Sequence, residues 1–250
     1  MIPLYDDNQT RHVAYATYWL IGLNAGAFAL LQGLSFEPML THSLCRWGLI
    51  PGELLGTIPA GSTIQLGQVL CTTGDLWTYL TPITSMFMHG GWFHIIGNLW
   101  FLHVFGDNVE DAMGWKRFVI FYLICGLAAA AAQVASNPTS PIPMVGASGA
   151  IGGVMGAYAR LYPHARVHTL IFLGFLITRA SIPAVIMLGY WFVIQVVGGI
   201  PSLASNHGGI AFWAHVGGFV MGLILVKPFS RQGDHKRQEN AFIKFRRPER

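Results

Sequence analysis

An all-α membrane protein of six transmembrane helices is the fold class this sequence predicts, and three observations predict it. Hydrophobic residues fill 53% of the 250 positions and charged residues only 10%, against about 25% charged in a soluble globular chain. Mean hydropathy is +0.48, so these residues cannot build the solvated surface of a soluble monomer. The apolar residues gather in six stretches almost free of charge, on the scale of the ~20 residues that one bilayer-spanning helix needs.

Residues 13–34 carry no charge and form segment 1. This stretch is too long for a signal-peptide core and no convincing small-residue cleavage pattern follows it, so it reads as an anchor. From 76 to 106 the chain is again uncharged, with Gly90-Gly91 as an interruption and 92–106 as the heart of segment 2. Segment 3 covers 118–136 and stops at Asn137-Pro138. Segment 4, residues 147–162, is short and glycine-rich and is stopped by Pro163. Segments 5 and 6 cover 182–197 and 208–226. The six spans make one unit over residues 1–228, followed by a basic tail over 229–250.

Lys and Arg collect on the cytoplasmic side of membrane proteins. With both termini inside, fourteen of the fifteen basic residues fall on the inner side and Arg46 alone falls outside, which predicts an N-in, C-in chain. Eight of them lie between Lys227 and Arg250. The net charge of +4 is therefore that of a basic tail and not of a nucleic-acid-binding face. The tail is either solvated or in contact with anionic lipid headgroups. The long loop, about 35–80, lies outside between segments 1 and 2, and its apolar stretches predict that it folds at the membrane surface. Cys45 and Cys71 both lie in it, where a disulfide can persist; a bridge and two buried thiols are both open. Cys125 falls mid-membrane as packing.

Polar groups in hydrocarbon are costly and need an account. The core spans hold no Asp, Glu or Lys, and no carboxylate occurs between Asp111 and Asp234. That argues against an ion-coupled transporter or a proton pump. What remains is a set of polar side chains at the outer ends of segments 2, 4 and 6. His89 precedes segment 2; His94 and Asn98 follow, four residues apart on one helix face. Ser148 lies in the first turn of segment 4. His215 is seven residues into segment 6, roughly 10 Å down at 1.5 Å per residue.

A serine becomes a nucleophile when an imidazole within hydrogen-bond reach takes its proton. Ser148 and His215 can meet only if segments 4 and 6 approach closely, and both carry small residues at four-residue spacing: Gly149/Gly153, Gly152/Gly156 and Gly218/Gly222. A developing oxyanion needs donors, available from the Ser148 amide at a helix N-terminus and from the Asn98 and His94 side chains. Without a carboxylate on segments 3–6, the composition points to a Ser–His dyad. A His-Glu-x-x-His zinc site is absent, as is any pair of intramembrane acids. The Ser148 motif also differs from the hydrolase elbow, which wants Gly where Ala150 stands.

These residues resemble the rhomboid family of intramembrane serine proteases. The stretch His89-Gly-Gly-Trp-Phe-His94-Ile-Ile-Gly-Asn98 matches the family's second-helix pattern, and 106–114 around Glu110 resembles its Gly-x3-Glu-x3-Gly motif. Gly146-Ala-Ser148-Gly149 matches the nucleophile motif, and Ala214-His215-Val-Gly-Gly218-Phe-Val-Met-Gly222 matches the sixth-helix histidine motif. The resemblance implies a six-span bundle with a Ser148–His215 dyad and an oxyanion hole of Asn98, His94 and the Ser148 amide. His89, Gly146, Gly149, Gly218, Gly222 and Glu110 would be supporting residues. It implies cleavage of single-pass membrane proteins within or beside their transmembrane segment, with no cofactor, no metal and no nucleic-acid partner. Helix 5 and the loop after it would admit substrate from the bilayer. A compact six-span core favours a bacterial plasma membrane with the site opening outward. The alternative is a catalytically silent relative that escorts transmembrane helices. Two departures from the family pattern stand out: Thr78 follows Trp77 where Arg is frequent, and Gly152 stands where an aromatic residue often stacks on the histidine. His207 is a weaker rival to His215 as the base.

Overall fold

Gly91, Gly114 and Pro183 cap the starts of three of the long helices. The computed structural model describes residues 1–66, 69–74, 76–173, 176–203 and 210–231. Strand β1 (Ile2–Asp6) precedes helix α1 (Tyr15–Leu30). The segment after α1 holds helices α2 (Met39–Trp47) and α3 (Pro51–Leu54), strands β2 (Thr63–Leu66) and β3 (Val69–Thr72), and helix α4 (Thr81–Thr84). Then come α5 (Trp92–Met113), α6 (Trp115–Ser136) and α7 (Ser148–Leu161), strands β4 (Arg166–Leu173) and β5 (Leu176–Pro183), and helices α8 (Ala184–Ser202) and α9 (Phe212–Phe229). Gly114 alone separates α5 from α6; its φ of +80° lies in the left-handed region, where a Cβ is strained.

Helices α6, α8 and α9 are apolar around their whole circumference, as helices surrounded by protein and lipid are. Among the described residues these three are long and apolar enough to cross a membrane, with mean hydropathies of 2.2, 1.8 and 1.4. Helices α1 and α7 are shorter, at 16 and 14 residues, and α5 carries Asp107, Glu110 and Asp111 near its end. Helix α7 is the centre of the fold. Its residues from Gly149 to Ala159 are all buried, enclosed by α5, α6, α8 and α9.

The α7–α9 contact is a backbone contact. A Cβ added at Gly218 or Gly222 would overlap the carbonyl oxygens of Gly149 and Gly153, and one at Gly156 would overlap that of Phe219. On its other side α7 meets α6, where a Cβ on Gly149 would stand 2.5 Å from that of Ala129. Small residues therefore let three helices converge on one axis.

The chain is mostly helical but not all-α. Strands β1, β4 and β5 form an antiparallel sheet in that order, and β2 and β3 pair as a second antiparallel ribbon. In β4, Val167 and Thr169 are buried while Arg166 is exposed and His168 is partly so. That is the period-two alternation of a half-buried strand, which a search for long apolar runs does not detect. Segment 6 is also corrected: α9 begins at Phe212, four residues later than the apolar run, and His215 lies in its first turn and not seven residues deep.

The segment between α1 and α5 is folded against the approach to α7. Cys45 of α2 and Cys71 of β3 form a disulfide, because the β2–β3 ribbon packs on α2. Leu49 N donates to Met144 O (3.0 Å) and Met144 N to Leu49 O (2.7 Å), and Gly52 N donates to Ser140 O (3.0 Å). Thr78, where the sequence departs from Trp-Arg, donates its hydroxyl to Glu53 (2.8 Å), which also accepts from Gly74 N (2.8 Å). Trp77 packs edge-on against Trp47, with the Arg46 guanidinium over the Trp47 ring.

Candidate active site

Ser148 is the first residue of α7, and the chain reaches it through a turn that only glycine suits. Gly146 has φ +124°. A Cβ there would stand 2.6 Å from His94 Nε2 and 3.4 Å from Ser148 Oγ. The bare Cα thus leaves open the space that His94 and Ser148 share. Gly146 N donates to Ser85 O (2.9 Å), which ties the turn to the residues before α5. The Ser148 amide sits at the helix N-terminus, where backbone N–H groups have no intrahelical acceptor.

His215, in the first turn of α9, lies beside Ser148. The distance from Ser148 Oγ to His215 Nε2 is 2.7 Å, within the reach a general base needs. The other ring nitrogen, Nδ1, is 2.7 Å from Gln195 Oε1 of α8. Trp191, one turn earlier on α8, packs on the same imidazole with ring centroids 5.6 Å apart. Gly152 supplies no ring of its own. A Cβ there would stand 3.1 Å from His215 O, so its bareness serves the close approach of α9.

His94 and Asn98 come from the first two turns of α5. His94 Nδ1 accepts from Gly90 N (3.2 Å). In a neutral imidazole the other nitrogen then carries the proton, so His94 presents Nε2–H to the gap beside Gly146 and Ser148. Asn98 is 6% exposed, and its Nδ2 has no hydrogen-bond partner among the described residues. A buried amide donor without a partner costs free energy, so this nitrogen is available to an acceptor that reaches it.

His89 is fully buried and lies edge-on against His94, centroids 5.2 Å apart. Neither of its ring nitrogens has a hydrogen-bond partner among the described residues. Its backbone is clamped instead: Gln32 Nε2 donates to His89 O (2.7 Å) and His89 N donates to Gln32 Oε1 (2.8 Å).

Glu110 stands apart from this group, twelve residues beyond Asn98 along α5, roughly 18 Å at the helical rise. There it accepts from Ala16 N (2.9 Å), Thr17 N (2.7 Å) and the Thr17 hydroxyl (2.8 Å), so it binds the start of α1. His207 lies outside the described residues.

Sequence reading missed three glutamines. Gln32 holds His89, Gln133 of α6 accepts from Ala214 N (3.2 Å) at the start of α9, and Gln195 meets His215. Each is an amide in an apolar stretch, which is the signal that could have found them.

A family profile described as the Rhomboid domain matches residues 73–232, more than half of the chain. Rhomboid protease GluP of Bacillus subtilis is 33% identical over 153 residues, covering 61% of this chain and 26% of that protein. Rhomboid protein 1, mitochondrial, of Saccharomyces cerevisiae is 26% identical over 165 residues, covering 64% and 44%. RHOMBOID-like protein 1 of Arabidopsis thaliana is 25% identical over 224 residues, covering 90% and 48%. The chain thus spans less than half the length of each of these relatives.

Proposed function

We propose that this chain, which belongs to the rhomboid family, is an integral membrane serine endopeptidase whose reaction runs on a Ser148–His215 dyad. The observation that carries this reading is the 2.7 Å contact between Ser148 Oγ and His215 Nε2. Ser148 gives its proton to His215 Nε2 as Oγ attacks a peptide carbonyl. The oxyanion that forms takes hydrogen bonds from the Ser148 amide, His94 Nε2–H and Asn98 Nδ2. His215 then passes the proton to the departing amine, and water releases the acyl group from Ser148 by the same relay.

Substrates are single-pass membrane proteins cut within or beside their transmembrane segment. Six spans with both termini in the cytoplasm put the Ser148 end of the bundle on the outer side of a bacterial plasma membrane, in keeping with the inward bias of Lys and Arg. The loop from about 35 to 80 caps that side, and the tail from 229 is cytoplasmic. The Gly149–Gly218 and Gly153–Gly222 backbone contacts keep the two reacting helices in register.

Cleavage of a single-pass substrate in proteoliposomes, wild type against Ser148→Ala, tests the reading, with fluorophosphonate labelling alongside. Cleavage and labelling by the wild type alone support it. Absence of both in the wild type overturns it in favour of a catalytically silent protein that binds transmembrane helices.

A further inference from the structure

We propose that Gln195 is a positioning residue for this reaction: its side-chain carbonyl accepts the Nδ1–H of His215 and so holds the imidazole in the tautomer whose Nε2 lone pair faces Ser148. The proposal rests on the serine-protease reading. A neutral imidazole has one proton for two nitrogens. With the proton on Nε2 the ring cannot accept from Ser148 Oγ, so a base at this position needs something that keeps the proton on Nδ1.

The geometry assigns that task to Gln195. Its Oε1 lies 2.7 Å from His215 Nδ1, and its Nε2 lies 3.4 Å from Trp191 O on the previous turn. The second contact orients the amide, because the reverse orientation would set two carbonyl oxygens against each other. Gln195 is 7% exposed, so water competes little for the bond.

An amide suits this site better than a carboxylate would. Helices α6, α7 and α8, which pack around α9, carry no carboxylate, and a charge buried among them would be costly. Facing the ring are Ser148 of α7 and Trp191 and Gln195 of α8, and the other titratable group beside Ser148 is His94 of α5, across Gly146. When the imidazolium forms, the bond to Gln195 becomes charge-assisted and strengthens. The Nδ1 proton stays on the ring and the amide takes none.

The test uses the full chain in proteoliposomes with Gln195→Met, which keeps length and removes the acceptor, and Gln195→Glu, which restores an acceptor. Expected for Gln195→Met is a loss of about tenfold or more in fluorophosphonate labelling rate and in kcat, with KM within about twofold. Gln195→Glu is expected to label faster than Gln195→Met, and its acid limb to move to higher pH because a carboxylate stabilises the imidazolium. A purely structural glutamine predicts the opposite order, since the buried carboxylate harms folding more than methionine does. Wild-type labelling in Gln195→Met, or Gln195→Glu no faster than it and with an unmoved pH profile, overturns the assignment. The 15N shifts of His215 separate this from failure of the protease reading. If the wild type neither cleaves nor labels, an Nδ1–H tautomer that is lost in Gln195→Met still supports the bond, and an Nε2–H tautomer overturns it.

Discussion

The Cα of Gly146 and the imidazole of His94 are in contact, such that a Cβ on Gly146 would stand 2.6 Å from Nε2. Gly146→Ala pushes His94 away from Ser148 and also strains a backbone at φ +124°. Activity is expected to fall at least about a hundredfold, the scale of losing one oxyanion donor. Labelling by fluorophosphonate should slow as well. Initial cleavage rates at matched protein levels check it.

Glu110 holds the start of α1 by three hydrogen bonds. A carboxylate at a helix N-terminus makes charge-assisted bonds, and its removal leaves two backbone donors unpaired. Glu110→Ala is expected to cost about 2–4 kcal/mol, read as a lowered thermal midpoint in detergent. Glu110→Gln should cost less. Because the site lies at the other end of α5, labelling of Ser148 in the surviving folded protein should be unchanged.

Asp6 of β1 accepts from the Tyr158 hydroxyl and from Asn108 Nδ2 (3.0 Å). Burial, with the Asp107 carboxylate adding to it, raises its pKa from the ordinary 3.8 to about 6, against the lowering effect of the Tyr158 bond. The folded state then binds a proton between about pH 4 and 6 that the unfolded chain has released. Stability should therefore fall as pH rises through that window, by at most about 1.4 kcal/mol per pH unit. Thermal midpoints of Asp6→Asn compared with wild type from pH 4 to 7 isolate the effect, which should vanish in the variant.

The Cys45–Cys71 bridge closes a loop with a sequence separation of 26. Loop-closure entropy puts its contribution at about 3.5 kcal/mol. Reduction, or Cys45→Ser with Cys71→Ser, is expected to loosen the β2–β3 ribbon and speed proteolysis near 63–72. The Leu49–Met144 backbone pair lies beyond the bridge in a buried stretch, so cleavage activity should drop less than stability does.

The membrane class, the positions of the long helices and the polar candidates among them are legible in the sequence because each is a local property. A charge-free run marks a helix, and Ser148, His215, His94 and Asn98 stand out where every neighbour is apolar. The sheet joining β1 to β4 is not legible this way. Ile2 pairs with Leu170 and Asp6 with Val167, partners separated by more than 160 residues, and pairing over that distance leaves no local pattern. Glu110 reads as a structural residue from its motif, but its partners Ala16 and Thr17 do not.

By itself the sequence determined that this chain is a membrane protein with a glycine-lined meeting of two helices, one bearing Ser148 and the other His215. Only the tertiary structure decided that Cys45 reaches Cys71, that Trp191 packs on the His215 imidazole, and that Gln195 faces His215 Nδ1. Composition and spacing act along the chain, and they settle what each segment is. Which side chain from α8 meets a ring on α9 depends on how two apolar helices rotate and slide against each other. That is set by close packing where α8 glycines such as Gly198 and Gly199 meet Phe212 and Trp213 of α9, and no local pattern records it.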